Sequence, residues 1–195
     1  MRQVVLVLMF LCCAANASAE FDSVEFGPRI AFPLPTRDAG NTELGLHAGL
    51  TMTVMRDSWF GVGLDVAYQY WPVSADYKAA FEEAVWLLVI EQPTWAFKDI
   101  QVAAHAKIAA PVDGWLVPWV RIGGGFHFVH PNFEGHEYDK SPELGYFGSF
   151  GVDIKSTGNM KLGLEATYQR LLLDDFFGAD FEAFTVGGRV LFVVH

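Results

Sequence analysis

The sequence predicts an all-β protein, an eight-stranded antiparallel up-and-down β-barrel of the transmembrane type with one short loop helix. Apolar residues recur at every second position over stretches about twice as long as the usual strand of roughly five or six residues. Hydrophobic residues make up 52% of the chain. After the N-terminal segment, however, they never form the run of about 18 apolar residues that a membrane helix needs. Tight turns also alternate with longer loops, and the strands of a membrane barrel account for all three observations.

Residues 1–19 have the pattern of a cleaved export signal. Arg2 precedes an apolar core from Val4 to Cys13, and residues 17–19 (Ala-Ser-Ala) form a small-residue cleavage site before Glu20. Both cysteines lie in this segment, so the mature chain is expected to contain no disulfide. The prediction is a signal peptide at 1–19 and one barrel domain at 20–195.

The charge balance argues against nucleic acid as a partner. The 23 acidic residues outnumber the 13 basic ones, and the formal net charge is −10. Nucleic-acid-binding domains instead present clustered basic residues. No motif in the chain indicates a cofactor, and none is expected.

The first three strands are predicted at 24–32, 44–54 and 60–70. The second and third form a hairpin, because their apolar residues keep a two-residue period on both sides of the polar turn at Asp57 and Ser58. In the first strand Pro28 is unusual, since it has no N–H group to donate to a neighbouring strand.

Residues 72–96 break the alternation. Ala79, Glu82 and Leu87 favour a helix, and Pro93 would end it. We expect a short helix at about 76–91 that caps the barrel mouth or lies at the membrane surface. The alternative is a loop packed on its own strands.

Five further strands return to the two-residue period. They are predicted at 97–110, 115–129, 144–155, 160–171 and from 181 onward. Tight turns at 57–58, 113–114 and 157–158 alternate with longer loops at 33–41, 72–96, 130–143 and 172–180. This asymmetry is typical of outer-membrane barrels, which have short periplasmic turns and long external loops.

Alternation alone leaves open which face of the strands points outward, since a soluble lipocalin-like barrel turns its apolar face inward. The polar face here is rich in glycine and sparsely charged, which suits a narrow lumen. Aromatic residues also gather near strand ends, where membrane barrels have interfacial girdles. They are Trp59, Tyr68, Tyr70, Trp71, Trp115, Tyr146, Tyr168 and Phe192. Both observations favour the membrane barrel.

The membrane orientation places charged and polar side chains in the lumen. They are Glu25, Arg29, Glu43, His47, Asp65, Gln69, Gln101, His105, Lys107, Arg121, His127, Asp153, Glu165, Gln169 and Arg189. Counting from the tight turns places Asp65 near Lys107 and His105. Arg121 follows on the next strand, and Glu165 lies near Arg189. Because an unpaired charge is costly in a poorly solvated lumen, we expect an ion-paired core that fills the barrel, with a gated path for a small solute as the alternative.

No metal site is predicted. His127 and His130 lie on opposite faces of a strand, and the spacing of the histidines fits no zinc motif. His47, His105 and His127 share the lumen but lie at different distances from the tight turns. A structural role is therefore favoured for all three over metal ligation.

With a signal peptide, eight alternating strands and this loop asymmetry, the mature chain resembles the small eight-stranded outer-membrane barrels of Gram-negative bacteria, the OmpA transmembrane, OmpX and OmpW-like group. The last strand, with Gly187, Val190 and Phe192, is similar to the C-terminal signal that the barrel-assembly machinery recognises, although it ends in His195 where an aromatic residue is usual. The resemblance implies an integral protein of the cell outer membrane, surrounded by outer-membrane lipids and lipopolysaccharide.

The resemblance implies a non-enzymatic structural or surface-interaction protein, without catalytic residues, as the first hypothesis. An OmpW-like narrow channel for small solutes, including apolar ones, is the second. A lipid A-modifying enzyme is the third. The deacylases, however, need a His-x-Ser pair, and the residue two positions after His105 is Lys107, while the residue two positions after His127 is Val129. A soluble lipocalin-like binder is the fourth.

Overall fold

The computed structural model describes residues 21–35, 44–72, 96–112, 114–132, 142–156, 158–172 and 181–195. They form eight strands in one closed antiparallel barrel, in which each strand pairs with the next in sequence and the last pairs with the first. The strands are β1 (Ser23–Pro35), β2 (Leu46–Arg56), β3 (Phe60–Pro72), β4 (Ala96–Ala109), β5 (Leu116–Asn132), β6 (Pro142–Lys155), β7 (Met160–Leu172) and β8 (Phe181–Val194). The predicted eight-stranded up-and-down barrel is confirmed. Among these residues no helix is long and apolar enough to cross a membrane.

Several strands extend further than the alternation predicted. The structure continues β1 through Pro35, and Leu34 and Pro35 pair with Phe184 and Ala183 of β8. It likewise continues β5 through Asn132, which pairs with Ala96. Loops were predicted at 33–41 and 130–143, but the partner strand supplies pairing at their first residues that the local sequence does not indicate. The predicted signal segment, the helix at 76–91 and Glu43 lie outside the described residues.

The turn between β2 and β3 depends on two residues with left-handed backbone conformation. Asp57 and Ser58 have φ angles of 50° and 56°, which residues other than glycine adopt uncommonly and aspartate more readily than most. The backbone N–H of Asp57 donates to the Asp22 carboxylate at 2.5 Å, and the Ser58 hydroxyl donates to the Asp57 carbonyl oxygen at 2.7 Å. These contacts hold the short turn that sets the register of the hairpin.

Pro28 interrupts the seam that closes the barrel. On β1, Phe26 pairs with Phe192 and Arg29 with Arg189, but in the described strands Gly27 and Pro28 between them have no partner on β8. On its other side Pro28 pairs in register with Leu50 of β2. A proline tolerates this position because a missing N–H group matters only where a ladder bond is made. The seam between the first and last strands therefore contains one local gap.

The two faces of the wall differ sharply in composition. Large apolar side chains point outward, with 69% of Ile122 exposed and 63% of both Leu50 and Leu164. The buried charged and polar side chains point inward, whereas some near the strand ends, such as Arg56, are exposed. Trp71, which the sequence pattern grouped with the aromatic residues at strand ends, also points inward and is only 5% exposed. Its odd position on β3 gives it the same direction as Gln69, because side chains alternate along a strand.

Candidate functional site

The lumen is filled by a network of ionised side chains, here called the lumenal charge cluster. Its members are Glu25, Arg29, Asp65, Lys107, Arg121, Asp153, Glu165 and Arg189, and all of them are buried. Seven of the eight strands contribute, every one except β2. Because no single strand holds a complete ion pair, the cluster exists only when the barrel is closed.

Arg121 on β5 is the centre of the half of this cluster that lies nearer the long loops. Its guanidinium contacts Asp65 on β3 at 3.2 Å and Glu165 on β7 at 3.5 Å. Arg29 on β1 approaches the same Glu165 carboxylate at 3.6 Å. One arginine side chain thus joins strands on opposite walls, and both Arg121 and Arg29 contact Glu165.

Asp153 on β6 is the centre of the half nearer the short turns. Arg189 donates to both carboxylate oxygens of Asp153, at 2.8 and 2.9 Å, and Lys107 donates at 3.0 Å. Lys107 also donates to Glu25 at 2.7 Å, and Lys161 contacts the other oxygen of that carboxylate. Such charge-assisted hydrogen bonds are the strong class. A contact of 3.8 Å between Arg189 and Glu165 joins this half to the half nearer the long loops.

Trp119 packs inside the lumen, in the half of the cluster nearer the short turns, rather than at the membrane surface. Its indole N–H donates to Asp153 at 3.1 Å, and the guanidinium carbon of Arg189 lies 3.9 Å from the ring centroid. The ring therefore covers an ion pair that it also hydrogen-bonds. Gly151 leaves the space for it, since a Cβ atom at that position would lie 2.5 Å from the indole.

The structure places most of the predicted neighbours together but gives Lys107 different partners. His105 and Arg121 both contact Asp65, at 3.0 and 3.2 Å. Lys107 instead contacts Glu25 and Asp153. In the β3–β4 register Lys107 lies opposite Gly61, whereas Asp65 lies opposite Ala103. The four-residue offset moves the lysine toward the short turns, where carboxylates from more distant strands reach it.

Thr53, His105 and Asp65 form a row of hydroxyl, imidazole and carboxylate that sequence spacing did not reveal. The Thr53 hydroxyl lies 2.9 Å from Nε2 of His105, and Nδ1 lies 3.0 Å from Asp65. The same order of groups occurs in nucleophilic hydrolases. Here Thr53 is only 4% exposed, and Asp65 is shared with Arg121. In the described barrel the row links β2, β3 and β4.

A second polar layer lies toward the long-loop end of the lumen. Gln69 and Gln169 donate to each other across the barrel, at 3.4 and 2.7 Å, and Gln69 also donates to Gln101 at 3.4 Å. Beyond them Nδ1 of His127 lies 2.7 Å from Asp99. Asp99 was missed by sequence reasoning, although it stands two positions before Gln101 and therefore shares its face.

Hydroxyl side chains complete the lumen, and sequence reasoning did not single them out. Ser149 and Thr167 hydrogen-bond to each other at 2.8 Å, between β6 and β7. His47 is buried at 2% exposure, and neither of its ring nitrogens has a hydrogen-bond partner in the described lumen. The two-residue strand period would have identified Ser149 and Thr167, because both have the same inward parity as the charged residues on their strands.

The three residues of the predicted assembly signal lie on different faces of β8. Phe192 is on the outer wall, where its ring is 5.7 Å from that of Phe26, and Val190 has the same outward parity. Gly187 faces inward, and a Cβ atom there would collide with the carbonyl oxygen of Ile30. In the part of the chain that the structure covers, no group of three metal-ligating side chains is positioned to hold an ion.

The barrel is similar to solved outer-membrane proteins, although no protein-family model and no curated protein matches the sequence. Neisserial surface protein A (NspA) shares 12% identity at a TM-score of 0.58, over 87% of this chain and 95% of its own. OprG from Pseudomonas aeruginosa shares 11% identity at 0.57, over 90% and 97%. Ail, the attachment invasion locus protein of Yersinia pestis, solved with the heparin analogue sucrose octasulfate, shares 12% at 0.50, over 88% and 97%. At such identities the likeness concerns the fold, and the chain has the fold of the small eight-stranded outer-membrane β-barrel proteins.

Proposed function

We propose that the protein is an integral outer-membrane barrel with a non-enzymatic structural or surface-interaction role, and that its lumen is closed. The observation that carries the proposal is the way lumenal side chains meet across the barrel. Arg121 reaches β3 and β7, Lys107 reaches β1 and β6, and Gln69 bonds Gln169. An eight-stranded barrel is just wide enough for side chains to fill. Contacts between opposite walls at three levels support a lumen that is closed to solutes.

The outer wall supports the membrane location. Its exposed apolar side chains would be unfavourable in water over so large a continuous area, whereas a bilayer accepts them. Closure of the barrel also pairs the strand edges, which lipid would not tolerate unpaired. We infer that residues 1–19 direct export, that outer-membrane lipids and lipopolysaccharide surround the wall, and that β8 is recognised by the barrel-assembly machinery.

The surface role is inferred from the architecture and from similar proteins. The short turns occur at one end of the barrel and the longer connections at the other. In outer-membrane barrels the end with the longer connections faces the cell exterior. NspA is a surface protein and Ail is an attachment protein by name. A rigid, filled barrel would serve as a support that presents external loops. The buried row of Thr53, His105 and Asp65 gives no support to an enzymatic role.

Mobility on SDS gels tests the membrane barrel. Outer-membrane fractions of a Gram-negative host that expresses the full chain are run with and without boiling. We expect a band in the membrane fraction that shifts on boiling, because a closed barrel resists SDS until it is heated. A periplasmic band without a shift would contradict the membrane location and favour the soluble binder.

Conductance in planar bilayers tests the closed lumen. We expect the purified barrel to insert without steady single-channel steps, because guanidinium and carboxylate groups block the path at the level of Arg121. The matched variant replaces Arg121, Lys107 and Gln69, one residue at each of the three levels, with alanine. It is expected to show steps if it folds with the same heat shift. Steady steps in the unmodified protein would replace the structural role with that of a narrow channel.

A further inference from the structure

An apolar groove lies on the outer wall beside the gap that Pro28 makes in the seam. Its volume is about 360 Å³, near the lower end of the roughly 300–1,000 Å³ of small-molecule sites. The lining side chains on the outer face are Phe26, Pro28, Leu50, Met52, Leu64, Val66 and Phe192. We propose that this groove binds one acyl chain of a phospholipid whose phosphate contacts Arg56. The inference rests on the membrane location proposed above.

The shape of the groove follows from the residues of three paired strands. Pro28 is opposite Leu50, and Leu50 is opposite Val66. The short proline ring leaves a depression between larger neighbours. Phe26 and Phe192 close it on one side, with ring centroids 5.7 Å apart. An acyl chain suits such a surface, because it consists of methylene groups and needs no hydrogen-bond partners.

The position along the wall selects the lipid. Phe26 is near the start of β1 and Phe192 near the end of β8, whereas Leu50 and Val66 are at the middle of their strands, so the groove runs from the middle of the wall toward the short turns. In outer-membrane barrels these turns face the periplasm. The groove would therefore open to the periplasmic half of the bilayer, and the lipids that reach it there are glycerophospholipids.

Arg56 supplies complementary charge for a lipid phosphate. It has the same outward parity on β2 as Leu50 and Met52, and it is exposed at the short-turn end. At about 3.4 Å per residue, roughly 14 Å separate Met52 from Arg56 along the strand, so a single lipid can contact both. The guanidinium is 3.8 Å from Asp57, an exposed pair of the kind that contributes little.

Native mass spectrometry of the full chain tests the groove. The protein is reconstituted in vesicles of phosphatidylethanolamine and phosphatidylglycerol, extracted into mild detergent and weighed with its retained lipid. We expect one phospholipid to remain on the unmodified barrel. Leu50→Trp fills the groove and should lower retention about tenfold, which corresponds to about 1.4 kcal/mol. Arg56→Gln should lower it about threefold.

Leu164→Trp is the matched control, because Leu164 on β7 is as exposed as Leu50 but lies away from the groove. It should retain lipid as the unmodified protein does. Equal loss in both tryptophan variants, no retained lipid in the unmodified barrel, or a dimer in its place would overturn the inference. The heat shift on gels is measured on the same samples. If the shift is absent, the membrane proposal has failed. If the shift is present and no lipid is retained, only the groove proposal has failed.

Discussion

Replacing Arg121 with methionine is expected to lower the free energy of unfolding by about 3–5 kcal/mol, the usual effect of removing one partner of a buried ion pair. The substitution keeps most of the side-chain volume but leaves Asp65 and Glu165 without the guanidinium that lies 3.2 and 3.5 Å from them. Their charges then remain in a lumen that solvates them poorly. Guanidinium-induced unfolding in lipid vesicles, followed by tryptophan fluorescence, measures the change.

Arg170→Met provides the comparison for this prediction. Arg170 contacts Glu182 at 3.3 Å, but both side chains are partly exposed, so the loss should be below about 1 kcal/mol. Adding Asp65→Asn to Arg121→Met should recover part of the lost stability, since it removes the carboxylate charge that has lost its guanidinium partner. Glu165 is left unchanged because it keeps its contacts with Arg29 and Arg189. Equal effects of Arg121→Met and Arg170→Met would show that the lumenal charge cluster does not stabilise the barrel.

Replacing Ile122 with arginine should cost about 2–4 kcal/mol and reduce the amount of assembled barrel, as expected for a charge on the lipid face at the bilayer midplane. Ile122 lies well inside β5 and is the most outward of the large apolar side chains, at 69% exposure. Its neighbour Arg121 points the opposite way, so the variant places a second arginine on the other face of the same strand. Unfolding in vesicles and the heat-shifted fraction on gels give the two measurements.

Val194→Arg is the control for position along the wall. Val194 is also outward and exposed, but it ends β8 beside the short turns, where an arginine should cost only about 0–1 kcal/mol. A soluble barrel would give a different pattern, with Ile122→Arg neutral and the protein recovered from the periplasm. That result would contradict the membrane assignment of the apolar face.

Local sequence was sufficient for the strands and for their two faces. The alternation between Leu44 and Tyr70 predicted both β2 and β3 and the turn at Asp57 and Ser58, because side-chain direction alternates along any strand and a short turn sets the register of its hairpin. The strand ends were less predictable. A loop was predicted from position 33, whereas pairing with β8 continues the strand through Pro35.

The partners of the lumenal side chains depended on contacts far apart in sequence. Lys107 contacts Glu25 across 82 residues and Asp153 across 46, and neither contact follows from the nearest hairpin. The groove beside Pro28 likewise needs β8, which is more than 150 residues away along the chain. Hairpin counting gives the order of neighbours but not the stagger that accumulates around a closed sheet.

By itself, therefore, the sequence determined that the chain is a barrel of eight strands and which side chains point into it, since the two-residue period is a property of each strand alone. Only the tertiary structure decided which of those side chains meet. Closing the sheet tilts the strands and staggers their registers, and this stagger brings Arg121 to Asp65 and Glu165 and brings Lys107 to Glu25 and Asp153.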